Sequence, residues 1–80
     1  MRPKALTGFE RRRIAALLRG LRVQAGLGQT EMAKLLRKPQ SFVSRYEAAE
    51  RRLDLVEIHD ICDALGVPLR DFVEKFEHRE

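Results

Sequence analysis

The stretch GLGQTEMAKLLRKPQSFVSRYE, residues 26–47, decides the fold of this chain. A hydrophobic staple around Gly28 predicts a helix of roughly Gln29 to Leu36. Pro39 then interrupts the helical pattern and suits the start of a further helix of roughly Gln40 to Ala48. The stretch therefore predicts two short helices joined by a turn of about three residues, the arrangement of a helix-turn-helix.

The second of these helices has two chemically different sides. Its polar side falls within one arc of roughly 140° and consists of Gln40, Ser41, Ser44 and Arg45. Its other side consists of Phe42, Val43, Tyr46 and Glu47. Glutamine can pair with the adenine edge in the major groove, arginine with guanine, and serine with bases or phosphate. The polar side therefore suits base readout, although an ordinary amphipathic surface helix would show a similar pattern.

Three further helices are predicted outside this stretch. Their boundaries are marked by capping boxes at Thr7–Glu10 and Asp54–Glu57, by stops at Gly26 and Gly66, and by a start at Pro68. Their apolar stripes are Ile14, Leu17, Leu18, Leu21 and Ala25; Leu55, Ile58, Ile61, Cys62 and Leu65; and Leu69, Phe72, Val73 and Phe76. The predicted fold class is all-α, five helices in one compact domain over residues 1–80. A basic segment, 1–7, precedes them, and the last helix, 68–77, is acidic.

Charge is distributed unevenly along the 80 residues, whose formal net charge is +4. Residues 1–45 contain eleven Lys or Arg and two acidic residues, a net charge of +9. Residues 46–80 contain five Lys or Arg and ten acidic residues, a net charge of −5. The first half therefore suits binding to a polyanion, or it forms a solvated basic surface. The second half faces solvent or another protein.

Several classes of protein are excluded by what the sequence lacks. Cys62 is the only cysteine, and with only His59 nearby it cannot complete a four-ligand zinc site. We find no paired carboxylates, no nucleophile with a base and no glycine-rich phosphate loop. The sequence therefore predicts a protein that is not an enzyme, binds no metal or cofactor, and does not enter the membrane. We expect it in the cytoplasm, associated with the nucleoid.

The sequence resembles the lambda-repressor-like, Cro-type (Xre) family of DNA-binding domains over about residues 18–72. The resemblance lies in LRGLRVQAGLGQTEMAKLL, PQSFVSRYEAAERRLDL and EIHDICDALGV. It implies that the four polar residues of the third helix read bases and that Gln29 contacts a phosphate at the start of the second helix. It also implies a structural ion pair between Arg22 and Glu47.

One position departs from the family pattern, because Arg37 occupies the turn position that is often glycine. A residue other than glycine costs roughly 1 kcal/mol there if its φ is positive. Arg37 and Lys38 are also candidates for phosphate contacts, together with Arg51 and Arg52, and such contacts would make binding strongly dependent on salt.

The functional prediction is a homodimer that binds a specific, pseudo-palindromic double-stranded DNA operator and regulates transcription, most simply by repression. Two-fold symmetry would place the half-sites about one helical turn apart. The last helix offers Phe72, Val73 and Phe76 either for the dimer contact or for packing onto helix one. The alternative is an antitoxin or adaptor that uses the same scaffold mainly to bind a protein partner.

Overall fold

The computed structural model describes residues 8–78, which form five α-helices. They are α1 (Phe9–Gln24), α2 (Gln29–Leu36), α3 (Gln40–Glu47), α4 (Leu55–Ala64) and α5 (Leu69–Glu77). The described residues contain no strand, and the predicted all-α fold with five helices is confirmed. None of these helices is long and apolar enough to cross a membrane.

The ends of α4 follow from local chemistry that the sequence shows. The Asp54 carboxylate accepts a hydrogen bond from the Glu57 amide at 2.7 Å, and the Glu57 carboxylate accepts one from the Asp54 amide at 3.0 Å. This reciprocal pair satisfies two backbone N–H groups that the first turn leaves without partners. Gly66, with φ +72°, follows the end of α4, as Gly26, with φ +76°, follows α1. Both glycines use the left-handed conformation that ends a helix.

The start of α1 differs from the prediction. The N-cap residue is Gly8, with φ +85°, one residue after Thr7, which the predicted capping box makes the N-cap. Glycine reaches this left-handed conformation without the clash of a Cβ atom, which lets the chain enter the helix one residue later. Thr7 and the rest of the basic segment 1–7 lie outside the described residues.

One hydrophobic core is shared by the helices. Its buried members are Leu18, Met32, Ala33, Val43, Tyr46, Ile58, Ile61, Cys62 and Phe72. Leu27 is partly buried and packs against this core, to which Met32 belongs. Helix α3 packs on α2 and α1, while α5 packs on α1 and α4. The core therefore holds α3 by one side and leaves its polar side at the surface.

Leu55 lies elsewhere than the prediction placed it, and one of the two roles predicted for Phe72 is excluded. Leu55 is 65% exposed, although its spacing puts it on the apolar stripe of α4. It is the first residue of the helix, and the core packs only against the later part of the stripe. Phe72 is 3% exposed within the single chain, so its proposed part in a dimer contact is wrong. The alternative, packing within the domain, describes Phe72 correctly.

The connection between α3 and α4 contains a residue with a strained backbone conformation, and a substitution can test that strain. Ala49 has φ +61°, a conformation in which the Cβ atom of an L-residue clashes with the backbone. Replacing Ala49 with Gly is expected to raise the free energy of unfolding by roughly 0.5–1 kcal/mol, or several degrees in Tm. Urea and thermal unfolding of the purified variant measure the change.

Ala48 provides a matched control, because it is the adjacent alanine and has φ −88°. Ala48→Gly adds freedom to the unfolded chain without relieving strain, so it is expected to lower stability. Equal effects of the two substitutions would contradict the assignment of strain to position 49.

Candidate nucleic-acid interface

The turn between α2 and α3 is built from Arg37, Lys38 and Pro39. Arg37 has φ 58° and ψ 43°, so it adopts the left-handed conformation at the position where the family often has glycine. The Lys38 amide donates to the Ala33 carbonyl at 3.0 Å and closes the turn. Pro39, with φ −63°, then caps α3. The chain therefore tolerates a strain of roughly 1 kcal/mol and keeps a basic side chain in the turn.

The polar side of α3 faces away from the core. Gln40, Ser41 and Arg45 are exposed, and Ser44 is half-buried. The Ser44 hydroxyl donates to the Ser41 carbonyl at 3.2 Å. On the other side of the helix, Val43 is fully buried. The structure thus brings the four predicted base-reading residues onto one surface, the recognition surface, which consists of Gln40, Ser41, Ser44 and Arg45.

Beneath the recognition surface lies a buried ion pair. The Arg22 Nε atom lies 2.7 Å from Glu47 Oε2, and the two side chains are 9% and 3% exposed. A second hydrogen bond runs from Arg22 Nη2 to Glu47 Oε1 at 3.0 Å, and Arg22 Nη1 donates to the Leu27 carbonyl at 2.6 Å. The hydrogen bond to Glu47 raises the pKa of Arg22, although burial acts in the opposite direction. Residues on α1 and α3 are therefore joined by a charged, bidentate contact.

The ion pair continues to the recognition surface through two glutamines. Gln29 Nε2 donates to Glu47 Oε1 at 3.0 Å, and Gln40 Nε2 donates to Gln29 Oε1 at 2.7 Å. We call the connected side chains Arg22, Glu47, Gln29 and Gln40 the polar chain. The sequence-based predictions pair Arg22 with Glu47 but assign separate roles to Gln29 and Gln40, and they do not show that the four residues connect. One feature could have indicated the connection between Gln29 and Gln40: these glutamines begin α2 and α3, and the two helices pack together.

The four arginine and lysine candidates for phosphate contact fall into two groups. Arg37 and Arg52 are exposed. Lys38 is exposed as well, but it and Arg51 also contact the ring of Phe42, with the Lys38 Nζ atom 5.4 Å and the Arg51 Cζ atom 4.7 Å from its centroid. Phe42 belongs to the side of α3 that lies outside the polar arc. The structure thus separates residues that the sequence placed in one functional group.

Arg51 also forms hydrogen bonds with Glu57, in the first turn of α4. Its Nη1 and Nη2 atoms lie 3.1 and 3.0 Å from the two carboxylate oxygens of Glu57. These hydrogen bonds, together with that from the Asp54 amide, lower the pKa of the Glu57 carboxyl. Glu57 therefore caps α4 and binds Arg51 at the same time.

The histidine, cysteine and acidic side chains of residues 8–78 were also compared with the arrangement that a metal ion needs. No group of three His, Cys, Asp or Glu side chains is placed to hold a metal ion in this part of the chain. Cys62 is buried in the core, and burial raises the pKa of its thiol. His59 is exposed on α4.

Comparisons with known proteins agree with this geometry. The sequence model of a helix-turn-helix domain family matches residues 13–74. An XRE-family like protein from Pseudomonas syringae pv. tomato str. DC3000 has 39% sequence identity and a TM-score of 0.83, over 92% of this chain and 90% of that chain. No curated protein matches the sequence.

Two more distant structures share the fold. The clp gene regulator ClgR from C. glutamicum has 24% identity and a TM-score of 0.78, over 85% of this chain and 87% of that chain. A point variant of the restriction-modification controller protein C.Esp1396I has 22% identity and a TM-score of 0.79, over 85% of this chain and 86% of that chain.

An all-α fold whose second and third helices meet at a tight turn and expose a polar face defines a DNA-binding helix-turn-helix protein. The matched family model and the similarity to the Pseudomonas protein are specific enough to identify the family. The chain belongs to the XRE family of DNA-binding transcription regulators.

Proposed function

We propose that this protein recognises a specific double-stranded DNA operator by placing α3 in the major groove. The recognition surface would face the base edges, with Gln40 suited to adenine and Arg45 to guanine. The observation that carries this proposal is the polar chain, because it connects Gln40 to a buried ion pair through two hydrogen bonds of 2.7 and 3.0 Å. A side chain held in this way loses less conformational freedom when it binds a base.

Phosphate contacts would come from Gln29, at the start of α2, and from exposed cations. Backbone N–H groups at a helix start favour an anion, and Gln29 is the first residue of α2. Arg37 and Arg52 are exposed and can reach phosphates without breaking a contact that holds the domain together. These residues would fix the position of the domain on the duplex, and the recognition surface would supply selectivity.

The regulator is proposed to act as a homodimer and a repressor. One copy carries one recognition helix, so a pseudo-palindromic operator requires two copies related by a two-fold axis. Because Phe72 is buried, the apolar residues of α5 that remain for a dimer contact are Val73, which is 40% exposed, and Phe76, which is partly exposed. The Phe76 ring also packs against Arg13, whose Cζ atom lies 5.1 Å from its centroid.

Val73 provides the test of this dimer contact. Replacing Val73 with Glu would place like charges opposite each other across a two-fold axis, beside Glu74 and Glu77, so dimerisation is expected to weaken at least tenfold. Sedimentation equilibrium measures the change. Val23→Glu is the matched control, since Val23 is 54% exposed on α1 and should leave sedimentation unchanged. Identical sedimentation of the wild type and both variants would contradict a dimer through α5.

The operator is tested by selecting bound duplexes from a random DNA library at near-physiological salt and sequencing them. We expect an inverted repeat with half-sites about 10 base pairs apart. A Gln40→Ala variant in the same selection should lose the preference at one position of each half-site. Generic binding that disappears as salt rises, with no motif, would contradict sequence-specific recognition.

The alternative function, an antitoxin or adaptor, rests on an exposed apolar pair at the start of α4. Leu55 and Val56 are 65% and 68% exposed, and adjacent exposed apolar residues favour contact with another protein. Copurification of a partner in stoichiometric amount, combined with the absence of a DNA motif, would favour this function. In either case we propose a cytoplasmic protein, associated with the nucleoid if it binds DNA, that acts by binding and not by catalysis.

A further inference from the structure

The Phe42 ring is contacted by two cations, one from each end of α3. Lys38 precedes α3 and Arg51 follows it, and both side chains lie within 5.4 Å of the ring centroid. The ring also makes an edge contact with Tyr46, at a centroid distance of 5.4 Å and an interplanar angle of 75°. Because Tyr46 is buried, this contact ties the ring to the core. Phe42 thus connects the core, the turn before α3 and the segment after it.

Arg51 engages three of its five guanidinium N–H donors within the protein, and its side chain is 39% exposed. Nη1 donates to the Arg52 carbonyl at 2.7 Å and to Glu57 at 3.1 Å, while Nη2 donates to Glu57 at 3.0 Å. Its Cζ atom also lies 4.7 Å from the centroid of the Phe42 ring. The Glu57 carboxylate also compensates its charge. To contact a phosphate with the N–H groups engaged here, Arg51 would have to break these interactions.

We propose that Phe42, Arg51 and Glu57 form a clamp that positions the recognition helix and the α3–α4 connection, so that Arg51 supports DNA binding by position and not by touching phosphate. Lys38 belongs to the same clamp through its contact with the ring. This inference rests on the proposed DNA-binding function and revises the roles expected for Lys38 and Arg51 from the sequence.

The clamp acts on a connection whose backbone needs support. Ala49 holds a left-handed conformation, and the Glu50 amide donates to the Arg45 carbonyl at 2.9 Å. Arg51 then binds the carbonyl of Arg52, the exposed cation that follows it. Fixing this carbonyl restricts the directions in which the Arg52 side chain can leave the backbone. The clamp therefore positions both the C-terminal end of α3 and the adjacent phosphate-binding candidate.

The dependence of DNA affinity on salt distinguishes a positioning residue from a residue that touches phosphate. Removing one phosphate contact should reduce the slope of log K against log salt by about 0.9, whereas poorer positioning lowers affinity without changing the slope. The probe is the duplex that the wild type selects from the random library. Arg51→Met and Phe42→Leu are expected to bind it roughly 5- to 30-fold more weakly, with unchanged slope. Arg52→Met is the matched control and should reduce the slope.

The Arg51→Lys variant distinguishes positioning from phosphate contact in a second way. Lysine keeps the charge, which a phosphate contact needs, but cannot form the planar two-pronged contact with Glu57 or stack on the ring. We expect Arg51→Lys to bind as weakly as Arg51→Met. Wild-type affinity for Arg51→Lys, together with a slope reduced by about 0.9 for Arg51→Met, would overturn the proposal.

The clamp is also testable in the free protein, independently of DNA. Hydrogen exchange at the Glu50 amide should accelerate in Phe42→Leu and in Arg51→Met, while the Ile58 amide, within α4, should change less. Unchanged exchange in both variants would overturn the clamp. If the wild type selects no motif but exchange accelerates as expected, the clamp stands as a structural device, while the proposed operator function and the effect of the clamp on it both fail.

Discussion

Replacing Arg22 with Met is expected to lower the free energy of unfolding by about 3 to 5 kcal/mol. The substitution leaves the Glu47 carboxylate, whose side chain is 3% exposed, with Gln29 Nε2 as its remaining side-chain donor. An uncompensated charge in this position costs far more than an exposed ion pair contributes. Because small domains are stable by only about 5 to 15 kcal/mol, the variant should lose a large part of its stability.

Urea and thermal unfolding measure this loss, and Tm should fall by more than about 10 °C. The double variant Arg22→Met with Glu47→Leu is the control, since it removes both charges and leaves none uncompensated. We expect it to be more stable than the single variant, as found generally when apolar residues replace a buried ion pair. A single variant within about 1 kcal/mol of the wild type would show that the pair behaves like a solvent-exposed one.

Replacing Arg45 with Ala is expected to weaken binding to the selected operator by roughly 5- to 150-fold for each half-site, the effect of about 1–3 kcal/mol. Arg45 is exposed on the recognition surface, and a guanidinium group can form two hydrogen bonds with guanine. The weaker binding should be accompanied by relaxed selectivity at one base pair. Titration of the operator and of single-base variants of it, at fixed salt, measures both effects.

An unrelated duplex of equal length provides the comparison for this substitution. A base-reading residue affects the operator more than the unrelated duplex, whereas a phosphate contact affects both alike. Arg45→Lys should retain part of the affinity but not the selectivity, because a lysine cannot reproduce the two parallel hydrogen bonds. Equal weakening on the operator and on the unrelated duplex would assign Arg45 to phosphate instead.

The elements that the sequence predicts well are those determined by neighbouring residues. Helix α2 has its predicted bounds, and the capping box at the start of α4 has the expected hydrogen bonds. Gly66 ends α4 because a left-handed residue is needed there. Such features depend on a few consecutive residues and little on the rest of the chain. The start of α1 is the exception, since its N-cap is a left-handed glycine, Gly8, one residue later than the sequence indicates.

What could not be predicted depends on how the helices pack against each other. Sequence spacing places Leu55 and Phe72 on apolar stripes alike, yet one is 65% and the other 3% exposed. The difference arises because each stripe is covered only where another helix crosses it. For the same reason Arg51 and Arg52, adjacent in sequence, have different surroundings: Arg51 lies against Phe42 and Glu57, and Arg52 is exposed.

The hydrogen bonds of the polar chain run in one direction, from the recognition surface to the buried ion pair. A carboxylate only accepts hydrogen bonds, so Glu47 obliges Gln29 to turn its NH₂ group inward and its oxygen outward. Gln40 must then donate to that oxygen, which leaves its own carbonyl oxygen and one N–H for a base. A buried charge thus selects one of two amide orientations at a surface residue. A neutral side chain at position 47 would permit both orientations, and discrimination between bases would decline even with every interatomic distance preserved.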